Sequence, residues 1–167
     1  RTYIHDCTFA LIAPASVTTY GVTVPAGVTA DLLEDTLVSR CYFLSGTDTT
    51  SGATGSAVNT LGTTSSFTIE NSTFELKGTA AWANAILASQ AGCKGLAIRD
   101  CDFINPTSAT TVITTAINAT GQTIDGATQV HRCYIPAGTD GVTASAMVDI
   151  VLTETYLANS SGGALVT

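Results

Sequence analysis

A six-residue motif recurs along nearly the whole chain and constrains the fold more than any other feature. Ile4-His5-Asp6-Cys7-Thr8-Phe9 returns as Val38-Ser39-Arg40-Cys41-Tyr42-Phe43 and as Ile69-Glu70-Asn71-Ser72-Thr73-Phe74. It returns again as Ile98-Arg99-Asp100-Cys101-Asp102-Phe103 and Val130-His131-Arg132-Cys133-Tyr134-Ile135, with a degraded sixth copy in Leu152-Thr153-Glu154-Thr155-Tyr156-Leu157. Counting the aliphatic residue as position zero, positions one and two are polar, three is small, four is variable, and five is Phe or Ile. The first five starts, at 4, 38, 69, 98 and 130, are separated by 34, 31, 29 and 32 residues. Repetition with such a period signals a solenoid, in which each unit buries its apolar face only against its neighbours.

A second apolar segment recurs inside each interval, at 20–24, 57–61, 84–88, 115–119 and 146–150. Its central aliphatics, Val22, Val58, Ile86, Ile117 and Val148, follow the motif start by 18, 20, 17, 19 and 18 residues. Both segments are short, rich in β-branched and aromatic residues, and bounded by Gly, Ser, Asn or Pro, as strands are. Helical repeats of this period need two amphipathic runs per unit. Only the Ala-rich stretch 80–90 resembles one, and its phase matches the strand copies, so it is taken as strand; a single helical turn is expected at 31–36. Side chains alternate along a strand, so positions zero and five cannot share one face of a straight strand. A bend must lie between them, with the small residue at position three filling the corner. The expectation is an all-β chain, one domain over 1–167, forming a parallel β-solenoid of about five coils.

The aliphatic-x-x-small-x-aromatic pattern resembles the right-handed parallel β-helix superfamily, which includes pectate lyases, pectin-degrading hydrolases and phage tailspikes. The resemblance implies a right-handed helix and, as a first guess at assembly, a homotrimer. In that family the corner often carries an Asn ladder; here the column is Cys7, Cys41, Ser72, Cys101, Cys133 and Thr155. A shared fold does not settle function, which has to be argued from the residues.

Coils stack about 4.8 Å apart, so equivalent residues form columns. Cys7 beside Cys41, and Cys101 beside Cys133, fall within the Cα separation of a disulfide. In-register side chains hold the sulfurs side by side, however, so buried thiols are expected there, with Cys93 outside the column. Position one carries His5, Ser39, Glu70, Arg99 and His131; position two carries Asp6, Arg40, Asn71, Asp100 and Arg132. The signs at position two suit a ladder of ion pairs between coils: Asp6, Arg40, Asp100, Arg132. The alternative is a carbohydrate-active site. Glu70, Asp100 and Asp102 would supply paired carboxylates for glycoside hydrolysis, or Arg99 or Arg40 would act as the base of a lyase with carboxylates holding Ca²⁺. Pairing of these carboxylates to arginines of adjacent coils would count against both. The family's Gly-His-Gly and Arg-Ile-Lys hydrolase signatures are missing. Tyr42, Tyr134 and Tyr156 fall at the outward position four, where they would stack on sugars or cover the ladder. The Phe9, Phe43, Phe74 and Phe103 column is expected inside. His5/Cys7 and His131/Cys133 do not make zinc pairs, since the His faces out and the Cys faces in. No motif implies a cofactor or a metal.

Thirteen acidic against six basic side chains give a net charge of −7, which argues against nucleic acid and against anionic membrane. No apolar run approaches the roughly 20 residues of a membrane span. The chain lacks an initiator Met, its first motif begins at residue 4, and its last residues look like another strand. We therefore expect a segment of a longer chain or assembly, its terminal coils covered by other subunits. Free cysteines suit folding in a reducing cytosol. Together these features favour a non-enzymatic structural or host-recognition component of a virus particle, with cell-surface polysaccharide as a partner. A β-helix polysaccharide lyase or glycoside hydrolase, and a bacterial surface adhesin with an extracellular or cell-surface location, are the alternatives.

Overall fold

The computed structural model describes residues 1–11, 18–25, 34–45, 54–60, 65–77, 82–88, 94–106, 112–120, 127–137, 139–144 and 149–158. Each copy of the motif forms two short strands that meet at a bend, and a third strand completes each coil. The first sheet contains β1 (Thr2–His5), β4 (Thr36–Ser39), β7 (Ser65–Glu70), β10 (Lys94–Arg99), β13 (Thr128–His131) and β16 (Ile150–Thr153). The second contains β2 (Thr8–Leu11), β5 (Tyr42–Ser45), β8 (Thr73–Leu76), β11 (Asp102–Ile104), β14 (Tyr134–Ile135) and β17 (Tyr156–Leu157). The third contains β3 (Thr18–Val24), β6 (Thr54–Thr60), β9 (Asn84–Ala88), β12 (Thr115–Ala119) and β15 (Asp140–Ala144). Each strand pairs in parallel with its equivalents in adjacent coils, giving a right-handed parallel β-helix of about five coils; the described residues contain no helix.

Three of the inward rows, one on each sheet, run through the core. Ile4, Val38, Ile69, Ile98, Val130 and Leu152 stand in register along the first sheet. Val22, Val58, Ile86, Ile117 and Val142 do so along the third. Along the second, Phe9, Phe43, Phe74 and Phe103 stack at centroid distances of 4.9, 4.9 and 5.0 Å with interplanar angles of 7°, 2° and 12°. Strand pairing imposes that spacing, and the ring faces fill it. Phe43, Phe74 and Phe103 are completely buried, each contributing roughly 1.5–3 kcal/mol through removal of apolar surface from water.

The bend within the motif has one geometry. Asp6, Arg40, Asn71, Asp100, Arg132 and Glu154, all at position two, have φ between 47° and 55°. This left-handed conformation costs an L-residue roughly 1–2 kcal/mol and is tolerated best by Asn and Asp. Hydrogen bonds on both sides of the bend offset the cost. The N–H groups of Asp6, Arg40, Asn71, Asp100 and Arg132 donate to the position-one carbonyl of the following coil at 2.9–3.2 Å. The N–H groups of Tyr42, Thr73, Asp102, Tyr134 and Tyr156 donate to the position-three carbonyl of the preceding coil at 2.9–3.1 Å. Because position two faces neither sheet, positions zero, three and five all point inward despite their uneven spacing.

Two expectations need correction, one of them at the last coil. The fifth copy of the inner strand is not 146–150 but β15, whose Val142 lies in register with Ile117. Ile150 instead opens β16 and pairs with Thr128 in the first sheet, while 145–148 lie outside the described residues. The interval from Val130 to Leu152 is 22 residues, shorter than the others, so counting by the earlier spacing overshoots. Pro136, Gly141 and Asp140 also make the stretch look like a loop, yet pairing to β12 overrides that local composition. The expected helical turn at 31–36 is not a helix where it is described, since Asp35 is left-handed and Thr36 starts β4; 31–33 and Cys93 lie outside the described residues. The Ala-rich stretch does contain a strand, β9.

Replacing Phe74 by Ala opens a gap in the middle of the stack and should lower stability by about 3–5 kcal/mol in urea denaturation. A loss below about 1 kcal/mol would show that the stack lies outside the cooperative core.

Candidate functional site

The position-three column is a hydrogen-bonded seam. Each side chain in it donates to the carbonyl two residues earlier: Cys7 to His5 at 3.2 Å, Cys41 to Ser39 at 3.3 Å, and Ser72 to Glu70 at 2.8 Å. Cys101 donates to Arg99 at 3.2 Å, Cys133 to His131 at 3.4 Å, and Thr155 to Thr153 at 3.2 Å. Ser72 Oγ also accepts the N–H of Cys41 at 3.1 Å. A small side chain bearing an S–H or O–H is therefore what the corner selects. Cys7, Cys41, Cys101 and Cys133 are free thiols. Burial pushes the Cys41 thiol up, and a hydrogen bond with Cys133, together with burial, pushes Cys101 well up, so both stay protonated and able to donate.

On the outside of the same corner, arginines clamp aspartates across coils. Arg40 reaches back to Asp6 through Nε–Oδ1 and Nη2–Oδ2 contacts, both 2.7 Å. Arg132 makes the same fork to Asp100 at 2.6 and 2.9 Å. Asn71 separates the two clamps in sequence and in space. His5 Nδ1 meets Asp6 Oδ2 at 2.8 Å, whereas His131 Nδ1 meets Thr153 Oγ1 at 2.7 Å and its Nε2 lies 3.9 Å from Glu154. Hydrogen bonds from Arg40, then His5, hold the Asp6 carboxyl well below the ordinary range, and Arg132 lowers Asp100.

The candidate catalytic residues do not converge on one surface. Glu70 and Arg99 are register neighbours on the outer face of the first sheet. Glu70 accepts a hydrogen bond from Ser39 Oγ at 3.3 Å. Asp100 stands at the corner in its clamp, and Asp102 lies on the second sheet between Thr73 and Tyr134. The tyrosines also divide. Tyr42 Oη donates to the carboxylate of Glu75, which Lys77 approaches at 3.4 Å. Tyr134 stacks on Tyr156 at 5.5 Å, and both rings remain largely exposed. Among the described residues no group of three or more His, Cys, Asp or Glu side chains is placed to hold a metal ion.

Three shallow depressions share the outer face of the first sheet. One involves Arg1, Tyr3, Asp35 and Ser66; a second, His5, Ser39, Arg40 and Glu70; a third, Thr68, Gly95, Ala97, Arg99 and Gln129. Ser39 and Ala97 are only 3% and 8% exposed although they face outward; longer neighbours stand around them. Tyr3, Thr68, Ala97 and Gln129 belong to a column two residues before position one. Sequence reasoning passed over this column because its members share no chemistry; its outward phase was nevertheless readable from the alternation before Ile4, Ile69, Ile98 and Val130. The fold and this corner define a right-handed parallel β-helix whose first sheet carries an outer face of mixed polar and apolar side chains with shallow depressions. No protein-family model, curated protein or solved structure matches the chain.

Two measurements check this account. The carboxyl carbons of Asp6 and Asp100 should titrate by NMR below the ordinary Asp value of about 3.9. Since folding depresses these pKa values, the clamps contribute in full above the unfolded value and are lost as pH falls through the folded one. Arg40→Gln should bring the Asp6 midpoint back toward the ordinary value; an unmoved midpoint would contradict the clamp. Ser72→Ala leaves the buried N–H of Cys41 without its acceptor and should cost about 1–3 kcal/mol in denaturant unfolding, with Ser72→Cys costing less.

Proposed function

We propose that this chain is a non-enzymatic structural and host-recognition component of a virus particle, of the tailspike, fibre or capsid-decoration type. It would belong with the β-helix superfamily that includes pectate lyases and phage tailspikes, and would act as a homo-oligomer, with a trimer as the simplest form. The observation that carries this reading is the fate of the corner carboxylates. Asp6 and Asp100 are each spanned by a two-pronged arginine from the next coil. They stiffen the stack and are not held ready to exchange protons with a substrate. Glu70 and Asp102 stand outside these clamps but on different sheets, so these two do not form the paired carboxylates on one face that a hydrolase needs. The free thiols of the corner support folding in a reducing compartment such as the cytosol in which virus particles assemble. The polar depression lined by Thr68, Arg99 and Gln129 on the first sheet supports contact with a hydroxyl-rich polymer such as cell-surface polysaccharide.

The test is co-sedimentation of the native protein with assembled particles from its source, together with incubation on a panel of acidic and neutral polysaccharides. The expected result is recovery in the particle fraction and no rise in reducing ends or in the ultraviolet absorbance of unsaturated products. Exclusive recovery as free protein, or cleavage of any polysaccharide that Glu70→Gln abolishes, would overturn the reading.

A further inference from the structure

The third depression on the first sheet is built differently from the rest of that surface. Of the four arginines in the chain, Arg1 pairs with Asp35, Arg40 with Asp6 and Arg132 with Asp100. The side chain of Arg99 is exposed and makes no ion pair or hydrogen bond to another described residue. It stands at the rim of a depression whose floor is low, because Gly95 and Ala97 occupy two of its outward positions. The Thr68 hydroxyl and the Gln129 amide stand on the other sides. Beneath them the backbone leaves regular β geometry. Ser66 has φ 143° and Gly95 has φ 65°, at positions skipped between the register pairs Lys94–Ser65 and Leu96–Phe67. Non-glycine residues in such conformations cost free energy and cluster where a surface is shaped for a ligand.

We infer that this depression binds a sugar unit bearing a single carboxylate, with the Arg99 guanidinium gripping the carboxylate and Thr68 and Gln129 taking ring hydroxyls. The inference rests on the recognition reading above and names its ligand class. A guanidinium matches a carboxylate with two parallel hydrogen bonds, and the Arg99 side chain, with no hydrogen bond to another described residue, has both edges available. The surroundings limit the charge of the ligand. Glu70 lies beside Arg99 in register, and the chain carries a net charge of −7. A polymer with a carboxylate on every ring brings many negative charges against this surface, whereas an otherwise neutral glycan with one carboxylate meets the repulsion of Glu70 once and offsets it by pairing with Arg99.

The test is a saturation-transfer NMR titration of the full chain with three probes: sialyllactose, lactose and an oligogalacturonate. Sialyllactose should bind about tenfold or more tightly than lactose, as a charge-assisted contact requires. Arg99→Gln should erase that difference, and Arg99→Lys should restore part of it, keeping the charge but losing the fork. Arg99 is exposed, so both variants should give the circular dichroism of the parent. Equal binding of lactose and sialyllactose, an unchanged titration with Arg99→Gln, or tighter binding of the oligogalacturonate would overturn the inference. Absence of sialyllactose binding in a protein that still co-sediments with particles would overturn this inference and leave the virion reading standing.

Discussion

Each coil must turn from the first sheet into the second without breaking its hydrogen bonds to the coils on either side. The left-handed residue at position two makes this possible, and the rest of the fold follows from it. By reversing the sense of one backbone torsion it lets two strands of opposite phase share one interior, so Ile69 and Phe74 both point inward although five residues apart. The turn is expensive for Arg and Glu side chains. It persists because its backbone groups are used across coils and because the adjacent position-three side chain donates to the position-one carbonyl. Thiols, a serine and a threonine all make this donation in that column. What the corner requires is thus a small donor, and the identity of the donor atom is secondary.

Much of this was legible in the sequence because a solenoid repeats its constraints. A single strand with the pattern of Ile98 to Phe103 would be ambiguous; five copies in phase leave few other structures. The bend, the inward Phe column and the parallel pairing all follow from spacing and alternation. The last coil was misread for the same reason. Its spacing breaks the period, and Asp140–Ala144 carries turn-like residues that become a strand only through pairing with Thr115–Ala119. Pairing between distant segments is a tertiary fact with no local signature. The depression around Arg99 was half visible. Arg99 itself was a candidate base for a lyase, but the low floor at Gly95 and Ala97 emerges only when three coils are laid side by side.

The acidic and basic residues at the corner show how a charge pattern can set register. Both clamps have the same polarity, with Asp on the earlier coil and Arg on the later. Residue 71 therefore lies between Arg40 and Asp100. An arginine there would face Arg40, and an aspartate would face Asp100; either would meet a like charge at the coil spacing. A neutral side chain avoids both, and Asn is also the residue that best tolerates the left-handed backbone that position two demands. Asn71 thus satisfies two unrelated constraints at once. A slip of one residue in any coil would pull the forks apart and turn the inward row outward together, so electrostatics and burial specify the same register.

Interior and exterior of this solenoid are consequently separable. The inward columns at positions zero, three and five are occupied by groups that the fold needs, and the corner charges are spent on one another. What remains free lies on the outward columns, above all on the first sheet, where neither side of an adjacent strand dictates the side chain. There the chain alternates bulk with its absence: Tyr3 and Arg99 stand high, while Ser39, Gly95 and Ala97 lie low. Small residues at outward positions contribute little to a β-sheet, and Gly weakens one. Gly95 weakens a strand at the centre of the first sheet, and its φ of 65° is a conformation that L side chains rarely adopt. The missing side chain also leaves space above the strand, bounded by a guanidinium that makes no hydrogen bond or ion pair to another described residue, and that space is where the proposed ligand would sit.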